Sequence, residues 1–343
     1  MKNQNPYFVK KLDPIEVKPK TISQLLAEMA NTGFQGKKLG QVVDVWEDML
    51  KDKDVTIIMG YAGSMSTTGQ WKIIKWLIEN RFIDALVSTG ANISEDIQDA
   101  MGHGYWQGSH LVDDTDLYKK NIFRYYDVFT DGKKYRQMTE LIREFVITLK
   151  DGYAYSTREF CHLFGKFLAE KNIDCILSAA YHENVPVFSP GIMDSEYGIA
   201  AVLAKRKDKK NVVVDQIKDF DELALLGEKS KRTAAIYIGG GVPKDYTQML
   251  TAVVAVLKGE ALDRQHEYAI QITTDSQQWG GLSGCTFEEA ISWGKIDWKG
   301  KFVQCYCDAT IALPLVSHAL AERINFKRKA PDFSWLFADA QKL

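Results

Sequence analysis

No apolar run in the 343-residue sequence approaches the ~18 residues of a membrane-spanning helix, and the opening stretch MKNQNPYFVKKLDPIEVKPK has no apolar core that could serve as a secretion signal. A membrane protein is thereby excluded, and a soluble one without a leader is expected. Charge of one sign is missing as well. Lys plus Arg total 43 and Asp plus Glu total 45, a formal net charge of −2, which leaves no cationic excess for a phosphate backbone or an anionic bilayer. Nucleic acid and membranes are not expected partners. Cysteine is scarce. The five, Cys161, Cys175, Cys285, Cys305 and Cys307, are odd in number and never spaced C-x-x-C, so neither a disulfide framework nor a zinc ribbon is indicated and a reducing cytoplasm is expected. Cys305 and Cys307 would share one face of a strand; with no second ligand pair nearby they read as packing, and no metal is expected. Pro/Ser-rich linkers, low-complexity tracts and internal repeats are also lacking.

What is present is an alternation. After a lysine- and proline-containing extended arm, Thr21-Ile22-Ser23-Gln24 offers a capping-box start for a first helix. Short apolar runs then follow one another: VTIIM (55–59), ALVS (85–88), CILS (175–178), NVVV (211–214), AAIYI (234–238), YAIQI (268–272) and KFVQCYC (301–307). Between them lie amphipathic stretches at 70–81, 137–150, 157–171, 220–229 and 246–258. Uninterrupted apolar strands separated by helices are what a parallel sheet covered on both faces produces, so the expected fold is a doubly wound α/β domain with a mostly parallel sheet. The expected division is an N-terminal arm and first helix over 1–34, one large domain over 35–330 and a tail over 331–343. The basic run KRKDKKN (205–211) reads as a solvated surface loop.

In such sheets ligands collect beyond the C-terminal ends of the strands, which directs attention to the loops there. VTIIM is followed by GYAGSMSTTG (60–69), whose small residues let a phosphate or ribose approach the backbone. ALVS is followed by Thr89-Gly90-Ala91-Asn92-Ile93-Ser94-Glu95-Asp96, where Ser94 suits a helix cap as well as a ligand contact. AAIYI is followed by Gly239-Gly240-Gly241-Val242-Pro243-Lys244; three glycines are costly in entropy and favour close backbone approach to a ligand, with a helix beginning near the proline. The last loop, from Thr273 to Cys285, leads into Thr286-Phe287-Glu288-Glu289 and on to Trp293-Gly294-Lys295. Thr286 and Glu289 form a capping-box pattern, and Lys295 would sit at a helix C-terminus where cations are favoured. A lysine beside Trp293, partly desolvated, would also be a usable nucleophile towards an imine.

Taken together in this order, GYAGSMSTTG, STGANISEDI, NVPVFSPGIMDSEYG (184–198), IYIGGGVPK (236–244), EEAISWGKI (288–296) and YCDATIALP (306–314) resemble the deoxyhypusine synthase family, over about residues 55–323. The resemblance implies a Rossmann-like NAD-binding fold and a homotetramer with active sites at a subunit interface. It implies that Lys295 accepts an aminobutyl group as a covalent imine, with Trp293 along the aliphatic amine and Glu289 on an ammonium end. It places NAD on Ser64, Thr67, Thr89, Gly90, Ala91, Glu95, Asp194, Gly240, Gly241, Thr274, Asp308 and Ala309. The implied chemistry is hydride removal beside a polyamine nitrogen, capture of the imine by Lys295, displacement by a second amine and return of the hydride.

Four positions depart from the family pattern. Ile199, Trp279 and Leu282 stand where acids are usual, and Asp245 stands where a histidine is usual and is expected to contact substrate. The bacterial deoxyhypusine synthase-like branch fits these departures, with a protein lysine or a small amine such as putrescine as acceptor and homospermidine as the product in the second case. The alternative is a catalytically silent NAD- or polyamine-binding regulator. NAD-dependent deacylation would need a histidine base, and His103, His110 and His182 lie in no motif for it.

Overall fold

The computed structural model describes residues 7–259, 264–329 and 331–337. Its centre is a sheet of six strands: β1 (Val55–Tyr61), β2 (Ala85–Ser88), β3 (Val187–Phe188), β4 (Arg232–Ile238), β5 (His266–Thr273) and β6 (Ile296–Tyr306). Their spatial order is β6-β5-β4-β1-β2-β3, and every neighbouring pair is parallel. The chain winds one way from β1 and the other way from β4, so the expected doubly wound α/β architecture is found, with its switch point between those two strands.

Both faces of the sheet are covered, which is why its strands read as unbroken apolar runs. All seven residues of β1 are buried; Ile57 and Met59 join one core with Trp46, Ile74 and Leu313, while Ile58 joins another with Val87, Leu223 and Leu250. That alternation is the period of two acting on a doubly buried strand. Helix α1 (Ile22–Met29) starts at the Thr21 capping box as the sequence indicates, and it packs on α2 (Phe34–Lys51) with Gly40 against the Leu26 carbonyl. The segments expected at 70–81 and 157–171 are α3 (Trp71–Glu79) and the helix Thr157–Glu170. The helices Gly132–Thr148, Gln216–Lys229 and Gly241–Lys258 each begin four or five residues before the amphipathic pattern does; in the first two the caps Asp131 and Asp215, not the apolar stripe, set the first turn.

Two expected strands are corrected. CILS (175–178) opens the helix Ile176–Glu183, where Ser178 Oγ accepts from the Cys175 N–H at 2.8 Å; a short run buried on all sides has no period to tell strand from helix. NVVV (211–214) supplies only Val213–Val214, bridged to Ala154–Tyr155 outside the main sheet. An antiparallel three-stranded sheet, Trp106–Gln107, Ile122–Tyr125 and Val128–Asp131, is inserted between β2 and β3 and has no counterpart in the pattern reading.

Candidate active site

Each of the twelve residues suggested for NAD lies past the C-terminal end of a sheet strand: Ser64 and Thr67 after β1, Thr89, Gly90, Ala91 and Glu95 after β2, Asp194 after β3, Gly240 and Gly241 after β4, Thr274 after β5, and Asp308 and Ala309 after β6. The sheet therefore collects at one edge what the sequence spreads over 246 positions, from 64 to 309.

The loop after β1 makes a 3-10 turn, Met65–Thr68, before α3 begins. Most of its hydroxyls serve the chain: Thr67 Oγ1 donates to the Ser64 carbonyl at 2.9 Å, and Ser66 Oγ to the Asn92 carbonyl at 2.6 Å. Thr89 ties this loop to the next, donating to the Gly63 carbonyl at 2.7 Å and accepting from the Asn92 N–H at 3.2 Å. It is thus Thr89, not Ser94, that serves the start of α4 (Asn92–Ala100); Ser94 is buried inside the first turn and donates to the Ala91 carbonyl at 3.2 Å. At Gly90 a Cβ would stand 2.3 Å from Ser195 Oγ, so the glycine lets β2 meet the loop that carries the exposed Asp194.

Ser64 Oγ donates to Glu95 Oε2 at 2.6 Å, and Tyr105 OH to the Glu95 carbonyl at 2.9 Å. Burial raises the Glu95 carboxyl to about 7, with the Ser64 and Tyr125 hydroxyls opposing the rise. Asp96 is wholly buried and also raised to about 7, although it accepts from the Ile176 N–H at 2.7 Å. Between about 4.5 and 7 the native state keeps protons the unfolded chain has released, so these groups stabilise fully below the unfolded value and the contribution is lost as pH rises through about 7. Urea midpoints taken from about pH 5 to 8 are expected to fall, and Glu95→Gln to flatten that fall.

At the triple glycine, Gly239 and Gly241 have φ of +76° and +58°. At Gly240 a Cβ would stand 2.0 Å from the Leu282 carbonyl, so the chain's own backbone already requires a glycine there. Gly241, by contrast, has open space where a Cβ would be. The helix α5 (Gly241–Lys258) begins here, with Pro243 in its first turn. Gly240→Ala is expected to displace the Leu282–Ser283 segment and cost about 1–3 kcal/mol in a denaturant titration.

The residue that pattern reading passed over is Lys244. It is buried, and its ammonium donates to the carbonyls of Ser283 and Cys285, both at 2.6 Å, and to Gln271 Oε1 at 3.0 Å. Burial lowers it to about 8; Cys285, Asp245 and Glu289 oppose that shift and Lys295 adds to it. The only sequence signal was a lysine one position after Pro243, in a first helical turn where cations are disfavoured.

Lys244 fixes the loop that feeds α6 (Phe287–Ser292). Thr286 Oγ1 accepts from the Glu289 N–H at 3.0 Å, but the reciprocal half of the capping box is not made. Among the described residues no hydrogen bond or ion pair engages the exposed Glu289 carboxylate. Trp293 ends the helix 67 % exposed, Gly294 turns the chain at φ +66°, and the half-buried Lys295 follows with its ammonium 5.8 Å from the Trp293 ring. The deeply buried lysine is Lys244, not Lys295. Lys295 also differs from the cofactor loops in its place: it precedes β6, and its carbonyl accepts from the first residue of β5, His266, at 3.0 Å.

Asp245 is exposed beside Gly284, and Thr274 is exposed at the end of β5. Asp308 caps α7 (Ala309–Arg323), accepting from the Thr310 N–H at 2.7 Å. Asp194, Thr274, Asp308 and Ala309 have no bond to Lys295 or Glu289 among the described residues, whereas Lys244, Asp245, Glu289 and Lys295 share one electrostatic neighbourhood. Cys305 is buried in the main core, with its thiol raised to about 12 by desolvation. Ile199, Trp279 and Leu282 are exposed apolar side chains.

The fold and these loops define a doubly wound α/β protein with glycine-containing loops at its switch point and a separate lysine, tryptophan and carboxylate group. The family model described as deoxyhypusine synthase matches residues 24–320. A protein named probable deoxyhypusine synthase 2 from Archaeoglobus fulgidus is 49% identical over 309 residues, covering 90% of this chain and all (100%) of its own. A deoxyhypusine synthase-like protein from Chlorobaculum parvum is 35% identical over 307 residues, covering 88% and 87%. The solved structure of a candidate deoxyhypusine synthase from Entamoeba histolytica shares the fold at a TM-score of 0.63 and 16% identity, covering 89% of this chain and 95% of that one. The chain belongs to the deoxyhypusine synthase family, and NAD is the family's cofactor.

Proposed function

We propose that this protein transfers an aminobutyl group from a polyamine such as spermidine to a second amine, through an imine on Lys295. The observation that carries the reading is the half-buried Lys295 ammonium 5.8 Å from the Trp293 ring, with an uncommitted Glu289 carboxylate on the preceding turn. The aliphatic part of a polyamine can lie on the indole while Glu289 and Asp245 hold its ammonium groups, which need counter-charges as they leave water.

The switch-point crevice suits a dinucleotide. Gly63 and Gly241 have open space where side chains would stand, the first N–H groups of α5 lie beside it, and the Ser64–Glu95 pair offers a hydroxyl-binding carboxylate. NAD held there would supply a hydride acceptor for the carbon beside the amine nitrogen and would return the hydride at the end. Lys295 attacks the resulting imine carbon, the original amine departs with its electron pair and a proton, and an acceptor amine later displaces the lysine in the same way.

A second copy of the chain completes the site in this reading, within a homotetramer. The support is a set of exposed apolar residues around the loops, Val242, Trp279, Leu282 and Trp293. Light scattering that found a monomer would remove this part.

The test is incubation with NAD, spermidine and putrescine, followed by borohydride and mass analysis. An aminobutyl mass on Lys295 with homospermidine in solution supports the transferase and a small acceptor; an adduct without that product supports the transferase and a protein lysine. Bound NAD with no adduct from any polyamine overturns the proposal in favour of a silent regulator.

A further inference from the structure

A cavity of about 640 Å³ opens at the N-terminal ends of β1 and β4, and it shares no residue with the loops described above. Its walls come from residues within Leu50–Thr56, from the turn Lys229–Lys231, and from residues within 326–329 and 331–335. Phe333, Leu336 and Phe337 are buried in the core that holds Ile58 and Val87, which anchors the last of these walls to the sheet.

The lining is strongly biased in charge. Six cationic side chains, Lys51, Lys53, Lys229, Lys231, Arg328 and Lys329, face two carboxylates, Asp54 and Asp332, in a protein whose net charge is −2. Some of this charge is spent: Lys51 pairs with Glu47, and Lys231 pairs with Asp54 at 2.8 Å. Lys53, Lys229 and Lys329 have no carboxylate partner among the described residues. Lys229 lies 3.7 Å over the Trp335 ring. At the floor, the buried Arg328 pairs with Asp84 at 2.6 Å and also donates to the Val55 carbonyl, while its Nε has no partner. Asp84 interacts with both Arg81 and Arg328, so the floor is not neutralised by its one acid.

Lys53 and Lys329, with Lys229 paired only to the Trp335 ring, place three cations without a counter-ion around the opening and draw an anion, and a volume of this size takes a small molecule rather than a single ion. Beside the hydroxyls of Thr56 and Ser230, the rest of the lining is apolar and includes the rings of Phe326, Phe333 and Trp335, which suits a flat body carried by the same molecule. We propose that this cavity binds a phosphorylated small molecule with a flat apolar body, the chemistry of a nucleoside diphosphate, with phosphates on Lys53, Lys229 and Lys329 and the body against Phe333 and Trp335.

The test is a calorimetric titration of the full-length protein with ADP at physiological ionic strength, with NAD already saturating so that the switch-point crevice is filled. One saturable site per chain is expected. The double variant Lys53→Ala/Lys329→Ala should weaken it by about tenfold or more, Lys295→Arg should leave it unchanged, and inorganic pyrophosphate should bind more weakly than ADP. Absence of saturable binding both with and without NAD, or indifference to the lysine substitutions, overturns the proposal. Pyrophosphate binding as tightly as ADP overturns the role given to the aromatic wall. Circular dichroism of the double variant, whose substituted side chains are both exposed, separates lost binding from lost folding.

Discussion

Lys295→Arg is expected to abolish the borohydride-trapped aminobutyl mass and to lower turnover by at least about 10³-fold, while NAD still binds. Arginine keeps the positive charge beside Trp293, so substrate repulsion and cation–π contact change little. What it removes is a primary amine that can form a C–N bond to an imine carbon, which a delocalised guanidinium, always charged, does not replace. The result separates covalent catalysis from mere binding. A variant that retained the adduct would move the carrier to another lysine, and the nearest candidate by electrostatics is Lys244.

Lys244→Met is expected to alter both stability and turnover. Below about pH 8 the native state holds an ammonium away from water on three neutral acceptors. Between about 8 and 10.5 the native amine has released its proton and the unfolded one has not, so stability should rise with pH by about 3 kcal/mol across that window. The difference between wild-type and variant urea midpoints isolates this contribution, which the methionine chain lacks. Turnover should fall on the order of 10²-fold near neutral pH, because the carbonyls of Ser283 and Cys285 lose the donor that orients the approach to α6 and Lys295. Unchanged turnover with the expected stability profile would make Lys244 a structural residue only.

The reach of the sequence shows in particular elements. VTIIM and ALVS were legible as strands because burial on both faces forces an apolar run, and Thr21 as a cap because its partner Gln24 is three residues away. CILS was not, since its helix follows from burial on every side and a cap at Cys175. Lys295, Trp293 and Glu289 were legible as candidates because they fall within seven consecutive residues, 289–295. Lys244 was not: its acceptors at 271, 283 and 285 are distant in sequence, and only the pairing of β4 with β5 and the packing of the following loop bring them to its ammonium.

The sequence by itself determined the alternation of buried strands and helices, the family, and the identity of the candidate carrier lysine, because each is written in local pattern or contiguous motif. The tertiary structure alone decided the strand order that puts the switch point between β1 and β4, the use of Gly240 for the chain's own backbone, the burial of Glu95 and Lys244, and the cationic cavity at the opposite strand ends. These depend on which distant segments exclude water from one another, and no local spacing encodes that.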